Sequence, residues 1–150
     1  MAGGSKKVTV GYRYFMGVQL ALTHGEIDAI YELKGDDTTA WSGNVTSNTT
    51  ISVNAANLFG GQSREGGWVG KVDIQMGGES QSVNAYLDSK IAGPVPAFRG
   101  LVTTVFRGDG GKGFEWSSGN PYFKAPAWRI GRYVKGWSRN TPWYPTKAKI

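Results

Sequence analysis

The chain contains no cysteine. Disulfides, thiolate metal sites, iron–sulfur clusters and cysteine nucleophiles are therefore excluded. It has one histidine, His24. A Ser-His-Asp triad would have a single candidate base, and one chain cannot build a multi-His metal site. No apolar run approaches the ~18 residues of a membrane-spanning helix, so stable membrane insertion is not expected. The opening Met-Ala-Gly-Gly-Ser-Lys-Lys leads into an alternating segment and shows no apolar core of a signal peptide. Aliphatic supply is thin. Leu, Ile, Val and Phe total 31 of 150 residues, just above the roughly 20% that marks disordered chains.

What is present favours strands and turns. Glycine supplies 23 of 150 residues, about twice the ordinary share of about 7%. Valine is twice as common as leucine, and 19 residues are aromatic. Those side chains suit a pleated, half-buried surface. The length predicts one domain over residues 1–150, large enough to hide roughly 68–70% of its unfolded surface.

Period-two alternation marks the strands. Lys7 to Met16 places Val8, Val10, Tyr12 and Tyr14 on one face, with a break or bulge at Gly17. Val18, Leu20 and Leu22 share a face, and Thr23-His24-Gly25 reads as a turn. Ile27, Ala29, Tyr31 and Leu33 alternate against Asp28, Ile30 and Glu32, up to a hairpin tip at Gly35-Asp36-Asp37. Ala40 and Trp41 begin a short return. Asn44 to Thr50 reads as a loop, Thr50 to Val53 as a short strand, and Asn54 to Phe59 as a helical turn. Gln62 to Gly67 reads as an exposed loop. Trp68, Gly70, Val72, Ile74 and Met76 line one face of a further strand. Leu101 to Phe106 is a β-branched run, read as a buried strand. Arg107 to Gly113 reads as a hairpin loop, with Phe114 to Trp116 as its return. Asn120-Pro121 turns the chain, and Ala127 to Val134 is the last extended segment. One helix is expected, over residues 82–91, capped by Ser82 and ended by Gly93-Pro94, with Val83, Tyr86, Leu87 and Ile91 near helical spacing. The fold class is mainly β, with antiparallel sheets and about one short helix.

Charge is unevenly placed. Through Lys90 the chain carries 7 basic and 9 acidic residues, and from Ile91 onward 10 basic and 2 acidic, Asp109 and Glu115. The basic part also holds Trp116, Trp128, Trp137 and Trp143. Cations with aromatic rings suit single-stranded nucleic acid. The stronger reading is a protein interface, where Arg and Lys stems cover aromatic surface and Trp and Arg anchor contacts.

No catalytic, cofactor or metal residue stands out. Arg107-Gly-Asp-Gly-Gly-Lys-Gly113 lacks the spacer and the Ser or Thr of a phosphate loop. Asn44-Val45-Thr46 and Asn48-Thr49-Thr50 match a glycosylation pattern but read as a polar loop. Asp36-Asp37, with Glu32 and Asp28 upstream, lacks the regular ligand spacing of a calcium loop. Glu26 and Asp28, two apart on one strand face, have the residue types of a pair for cleaving a sugar, but nothing in the sequence supports a substrate cleft around them. His24 fits a turn residue better than a base.

Several motifs occur together in order. Gly11-Tyr-Arg-Tyr-Phe-Met-Gly leads to Thr23-His24-Gly25-Glu26-Ile27-Asp28, then to Gly35-Asp36 and Ala40-Trp41. Asn57-Leu58-Phe59-Gly60-Gly61 is followed by Arg64-Glu65-Gly66-Gly67, then Val72-Asp73-Ile74-Gln75-Met76-Gly77-Gly78. Val95-Pro96-Ala97-Phe98-Arg99-Gly100 precedes the Val102 to Phe106 strand. Asn120-Pro121-Tyr122-Phe123-Lys124, Arg129-Ile130 and Trp143-Tyr144-Pro145 close the series. The set resembles the opening of tail-tip hub proteins of long-tailed bacteriophages, with Glu26 where proline is common.

The resemblance implies a β-rich, barrel-like hub domain that forms a homo-oligomer, a trimer. It implies a structural virion protein joining the tail tube to the host-recognition apparatus around the channel for DNA exit. Expected partners are other tail proteins, such as the distal tail ring and the tape measure, with transient passage of DNA. It further implies the N-terminal part of a longer protein, and no enzymatic activity. The competing readings are a nucleic-acid-binding β-barrel module using the basic aromatic third and, last, an enzyme acting on cell-wall sugars.

Overall fold

The computed structural model describes residues 12–109, 112–117 and 122–132. Of these, 52% are strand and 5% helix, in antiparallel sheets that nearly close a barrel. In chain order the elements are β1 (Arg13–Met16), β2 (Val18–His24), β3 (Ala29–Gly35), β4 (Thr38–Val45), β5 (Thr49–Ala55), β6 (Trp68–Gln75), α1 (Ala85–Lys90), β7 (Leu101–Arg107), β8 (Phe114–Ser117) and β9 (Pro126–Gly131).

The larger sheet has four ranks. β5 pairs with β6 along its whole length, Thr49 opposite Ile74 through to Ala55 opposite Trp68. The other side of β6 pairs first with β8, at Trp68 and Val69, and then with β7, from Lys71 to Gln75. The outermost rank divides in the same way, β1 against β8 and β2 against β7. So β7 and β8 form one strand interrupted by the glycine-rich excursion after Arg107. This corrects the hairpin expected there: Phe114 to Trp116 returns along β6 and β1, not beside β7. Gly17 separates β1 from β2, while the register shift falls between Ala21 and Thr23. The smaller sheet runs β4-β3-β9.

Both sheets face one core. Trp68, Phe106, Phe114, Val72, Ile30 and Leu33 have no exposed surface. Trp68 is central, stacked on Phe123 at 5.3 Å between centroids and edge-on to Phe59 at 5.5 Å. Aromatic pairs in these geometries each contribute about 1 kcal/mol beyond their burial. The outer face of the larger sheet carries a second cluster of Leu87, Val95 and Val105, with Tyr86 and Phe98 packed on it. The segment around α1 thus covers β7 from outside. That explains why Leu101 to Phe106 shows no alternation: both of its faces are buried, Thr103 and Thr104 included.

Several local expectations are corrected. In β3 it is Ile30, fully buried, that enters the core, while Tyr31 stays half-buried. A register shift between Ile30 and Glu32 reverses the alternation there. β4 runs on to Val45 and β5 begins at Thr49, so the loop is only three residues long. Their exposed faces are Thr, Ser and Asn, which hides the strands from a hydrophobic pattern. Ala56 to Phe59 makes hydrogen-bonded turns rather than a helical turn, with Leu58 N–H on Ala55 O at 3.0 Å and Gly60 N–H on Asn57 O at 3.0 Å. The helix is shorter than residues 82–91. Asn84, not Ser82, is its cap, its side chain accepting from Leu87 N–H at 3.0 Å, and Val83 and Ile91 are exposed. Val8, Val10, Asn120-Pro121 and Val134 lie outside the described residues.

Candidate functional site

Some of the motifs quoted above meet at two junctions, among them Thr23 to Asp28, Gly35-Asp36, Phe59 to Gly67, Gly77 and Val95 to Gly100. At the first, three chain reversals meet. Gly25, Gly77 and Gly100 have φ of 74°, 87° and 75°, values that L side chains rarely adopt. Gly25 N–H donates to Gly100 O at 2.7 Å and Gly100 N–H to Gly77 O at 3.1 Å. Gln81, 2% exposed, locks the group from within. Its Oε1 accepts from Gly77 N–H at 2.8 Å, and its Nε2 donates to Ala97 O at 2.9 Å and Phe98 O at 3.0 Å. Arg99 donates to Gln81 O at 3.1 Å. Arg132, just after β9, donates to His24 O and to Gly25 O, the latter at 3.1 Å.

A depression of about 400 Å³ opens here, lined by Glu26, Asp28, Glu79, Arg132 and the three glycines. The structure therefore does bring Glu26 and Asp28 to one place. It adds Glu79, which sequence reading missed; the Gly77-Gly78 reversal was the available signal. All three carboxylates are exposed. His24 is exposed at the end of β2, and its carbonyl serves as an acceptor for Arg132.

The second junction lies where the β3–β4 tip meets the loop between β5 and β6. Asp36, with φ of 50°, accepts from Lys124 at 2.7 Å, and Lys124 also meets Glu65 at 2.8 Å. The Lys124 ammonium sits 4.8 Å from the Phe59 ring centroid. Hydrogen bonds to Asp36 and then Glu65 hold its pKa above the ordinary lysine value. Phe59 N–H donates to Gly66 O at 2.9 Å, and Gly66 N–H to Gly61 O at 2.8 Å, which folds the Leu58 to Gly67 loop on itself.

The acidic residues around the tip do not form one cluster. Asp28 and Asp36 lie at opposite ends of β3. Glu32 sits between Thr39, which donates to it, and Arg129 at 3.3 Å. The hydrogen bond from Thr39, aided by Lys34 and Arg129, lowers its pKa. Among the described residues no group of three or more His, Asp or Glu side chains is placed to hold a metal ion. Asn48 is engaged, its Oδ1 accepting from Met76 N–H at 2.7 Å, whereas Asn44 is exposed.

Among the described residues of the basic aromatic third, several rings are drawn inward. Trp116 is buried, and Phe123 and Trp128 pack on the core. Arg107 pairs with Asp73 at 2.8 Å. Asp73 also accepts from Thr50 at 2.7 Å and Asn84 at 3.0 Å. Burial alone would raise the Asp73 pKa; the bonds from Arg107, Thr50 and Asn84 outweigh it, and the net shift is downward. Arg107 is therefore occupied by a carboxylate. Gly110 and Gly111 of its loop, with Trp137 and the Trp143-Tyr144-Pro145 block, lie outside the described residues. Three basic residues of the C-terminal third thus meet four acidic residues of the preceding part: Arg107 with Asp73, Lys124 with Asp36 and Glu65, Arg129 with Glu32.

No protein-family model matches the chain, and no curated protein matches it.

Proposed function

We propose that this chain is a structural hub protein of the tail tip of a long-tailed bacteriophage, working as a homo-oligomer. Its role is to join the tail tube to the host-recognition apparatus around the path of DNA exit. One observation carries the reading: motifs scattered from Thr23 to Lys124 in the sequence fall at two junctions that pin the sheets together. Residues used this way shape a rigid unit for assembly. The oligomer is read as a trimer from the resemblance. Its neighbours are the distal tail ring and the tape measure, and its place is the virion tail tip.

The test is light scattering on the purified chain, followed by co-purification with the distal tail ring and tape measure proteins of the phage that encodes it. A stable trimer that captures either partner is the expected result. A monomer at 100 μM that captures neither overturns the reading. Binding to single-stranded DNA that collapses with added salt would favour the basic aromatic module instead.

A further inference from the structure

At the end of the larger sheet where β1, β8 and β6 meet, core and surface alternate strictly. Trp68 and Trp116 turn inward, and Tyr14 stacks on Trp116 at 5.6 Å between centroids. Their chain neighbours Val69, Glu115 and Phe15 therefore point outward. They form a row across the three strands, Val69 opposite Glu115 and Glu115 opposite Phe15. Arg13 stands two residues from Phe15 on the same face, and its Nε meets Glu115 at 3.1 Å. The turns that follow β5 rise beside this row. A depression of about 440 Å³ opens between the two, lined by Arg13, Glu115 and Val69 of the sheet and by Ala56, Asn57 and Gln62 of the turns. That volume is in the range of small-molecule sites.

We propose that this depression binds a short neutral saccharide. The proposal does not depend on the oligomeric reading above. The two charges of the lining cancel. Glu115 opposes an anion and Arg13 opposes a cation, so neither a phosphate nor an amine gains by entering. One carboxylate also falls short of the six to eight oxygens that a calcium ion takes. What the walls offer is hydrogen bonding in both directions. Glu115 accepts, Arg13 donates, and the carboxamides of Asn57 and Gln62 do both. Asn57 and Gln62 are exposed, and neither carboxamide has a partner among the described residues. The ion pair uses Arg13 Nε and one oxygen of Glu115. That leaves the terminal guanidinium nitrogens and the second carboxylate oxygen for a ligand. Sugar hydroxyls both donate and accept, and planar guanidinium and carboxylate groups can hold two neighbouring hydroxyls at once. A sugar ring also has an apolar C–H side. Phe15, 48% exposed at the end of the row, presents a ring to it. Lys112 approaches the same ring, its ammonium 5.8 Å from the centroid, and still leaves nearly half of Phe15 open.

The test is a titration of the isotope-labelled full chain with maltose, lactose and chitobiose at millimolar concentrations. It is followed by NMR through the side-chain signals of Asn57, Gln62 and Arg13 Nε. At least one sugar is expected to shift all three on one saturating curve. Inorganic phosphate and putrescine, the anionic and cationic probes, are expected to leave them in place. Gln62→Ala and Glu115→Gln should each weaken the sugar about tenfold, the loss of about one hydrogen bond. Gln62→Ala removes an exposed side chain without partners, so its fold is not at risk. No saturating shift with any of the three sugars overturns the proposal and leaves the tail-tip reading standing. Shifts confined to other residues, or full affinity in both variants, overturn the placement. A stronger response to phosphate or putrescine than to every sugar overturns the neutral class.

Discussion

Asp73 sits on the outer face of the sheet, where a carboxylate would ordinarily be solvated. Instead three donors from β5, β7 and the cap of α1 converge on it. Its pKa lies below the ordinary 3.8. A group whose folded pKa is lowered stabilises the fold fully above its unfolded value, and that contribution is lost as pH falls through the folded value. Replacing Asp73 by Asn keeps the shape but removes the charge that Arg107 faces. The loss should be about 2 kcal/mol at pH 7, and it should shrink below about pH 4, where the wild type also loses its charge. Urea midpoints at pH 7 and pH 3 check this; an equal loss at both would refute it. Gly70 is a second sensitive position. It lies opposite the break between β7 and β8, with φ of 151°. A Cβ there would come within 2.6 Å of the Phe114 ring and 2.9 Å of Arg107 O. Gly70→Ala should therefore destabilise by about 3 kcal/mol, from crowding and backbone strain together. Neither role was legible in the sequence. Asp73 and Gly70 each read as one beat of an alternating strand, because their partners come from ranks distant in sequence.

At the scale of elements, strands with a wet face and a dry face were legible: β6 buries Trp68, Val72 and Ile74 as its alternation marks, and Val18, Leu20 and Leu22 of β2 pack half-buried against the same core. Irregularities were not. The shift at Tyr31 lets Ile30 take its place beside Ile27, Ala29 and Leu33, which are buried as the alternation marks, and it depends on pairing with β4 and β9, not on local pattern. The helix shows the same limit. Val83 and Ile91 match helical spacing, yet only Leu87 of the helix itself is buried. Leu87→Ala should cost about 3 kcal/mol, whereas Val83→Ala and Ile91→Ala should stay within about 0.5 kcal/mol. Chemical denaturation of the three variants separates a six-residue helix from the longer one the spacing suggests. Gln81 holds the segment before α1 to the first junction. Gln81→Leu leaves the Gly77 N–H and the Ala97 and Phe98 carbonyls without their partner, a loss of about 3 kcal/mol. Hydrogen exchange should then quicken at Gly77. Unchanged exchange there would mean that the glycine reversals hold without Gln81. Glu26 and Asp28 do line one depression, but from the connection between β2 and β3 and not from the strand face expected of them; Glu79 and Arg132 were not legible, since only the reversals bring them there.

For the whole molecule, charge divides the surface into two kinds. Among the described residues of the basic C-terminal third, Arg107, Lys124 and Arg129 meet acidic residues of the preceding part, Arg129 from an exposed position. The edges of β5 and β1–β2 carry almost none. Salt distinguishes the two. At 1 M salt the screening length falls to about 3 Å from about 10 Å at 0.1 M, which weakens exposed pairs such as Arg129 with Glu32. A contact made by apolar surface and backbone pairing has no such dependence. The trimer's mass should therefore hold from 0.1 M to 1 M salt. A mass that falls toward the monomer across that range would move the contact onto charged surface, because apolar and backbone contacts do not weaken as ions are added.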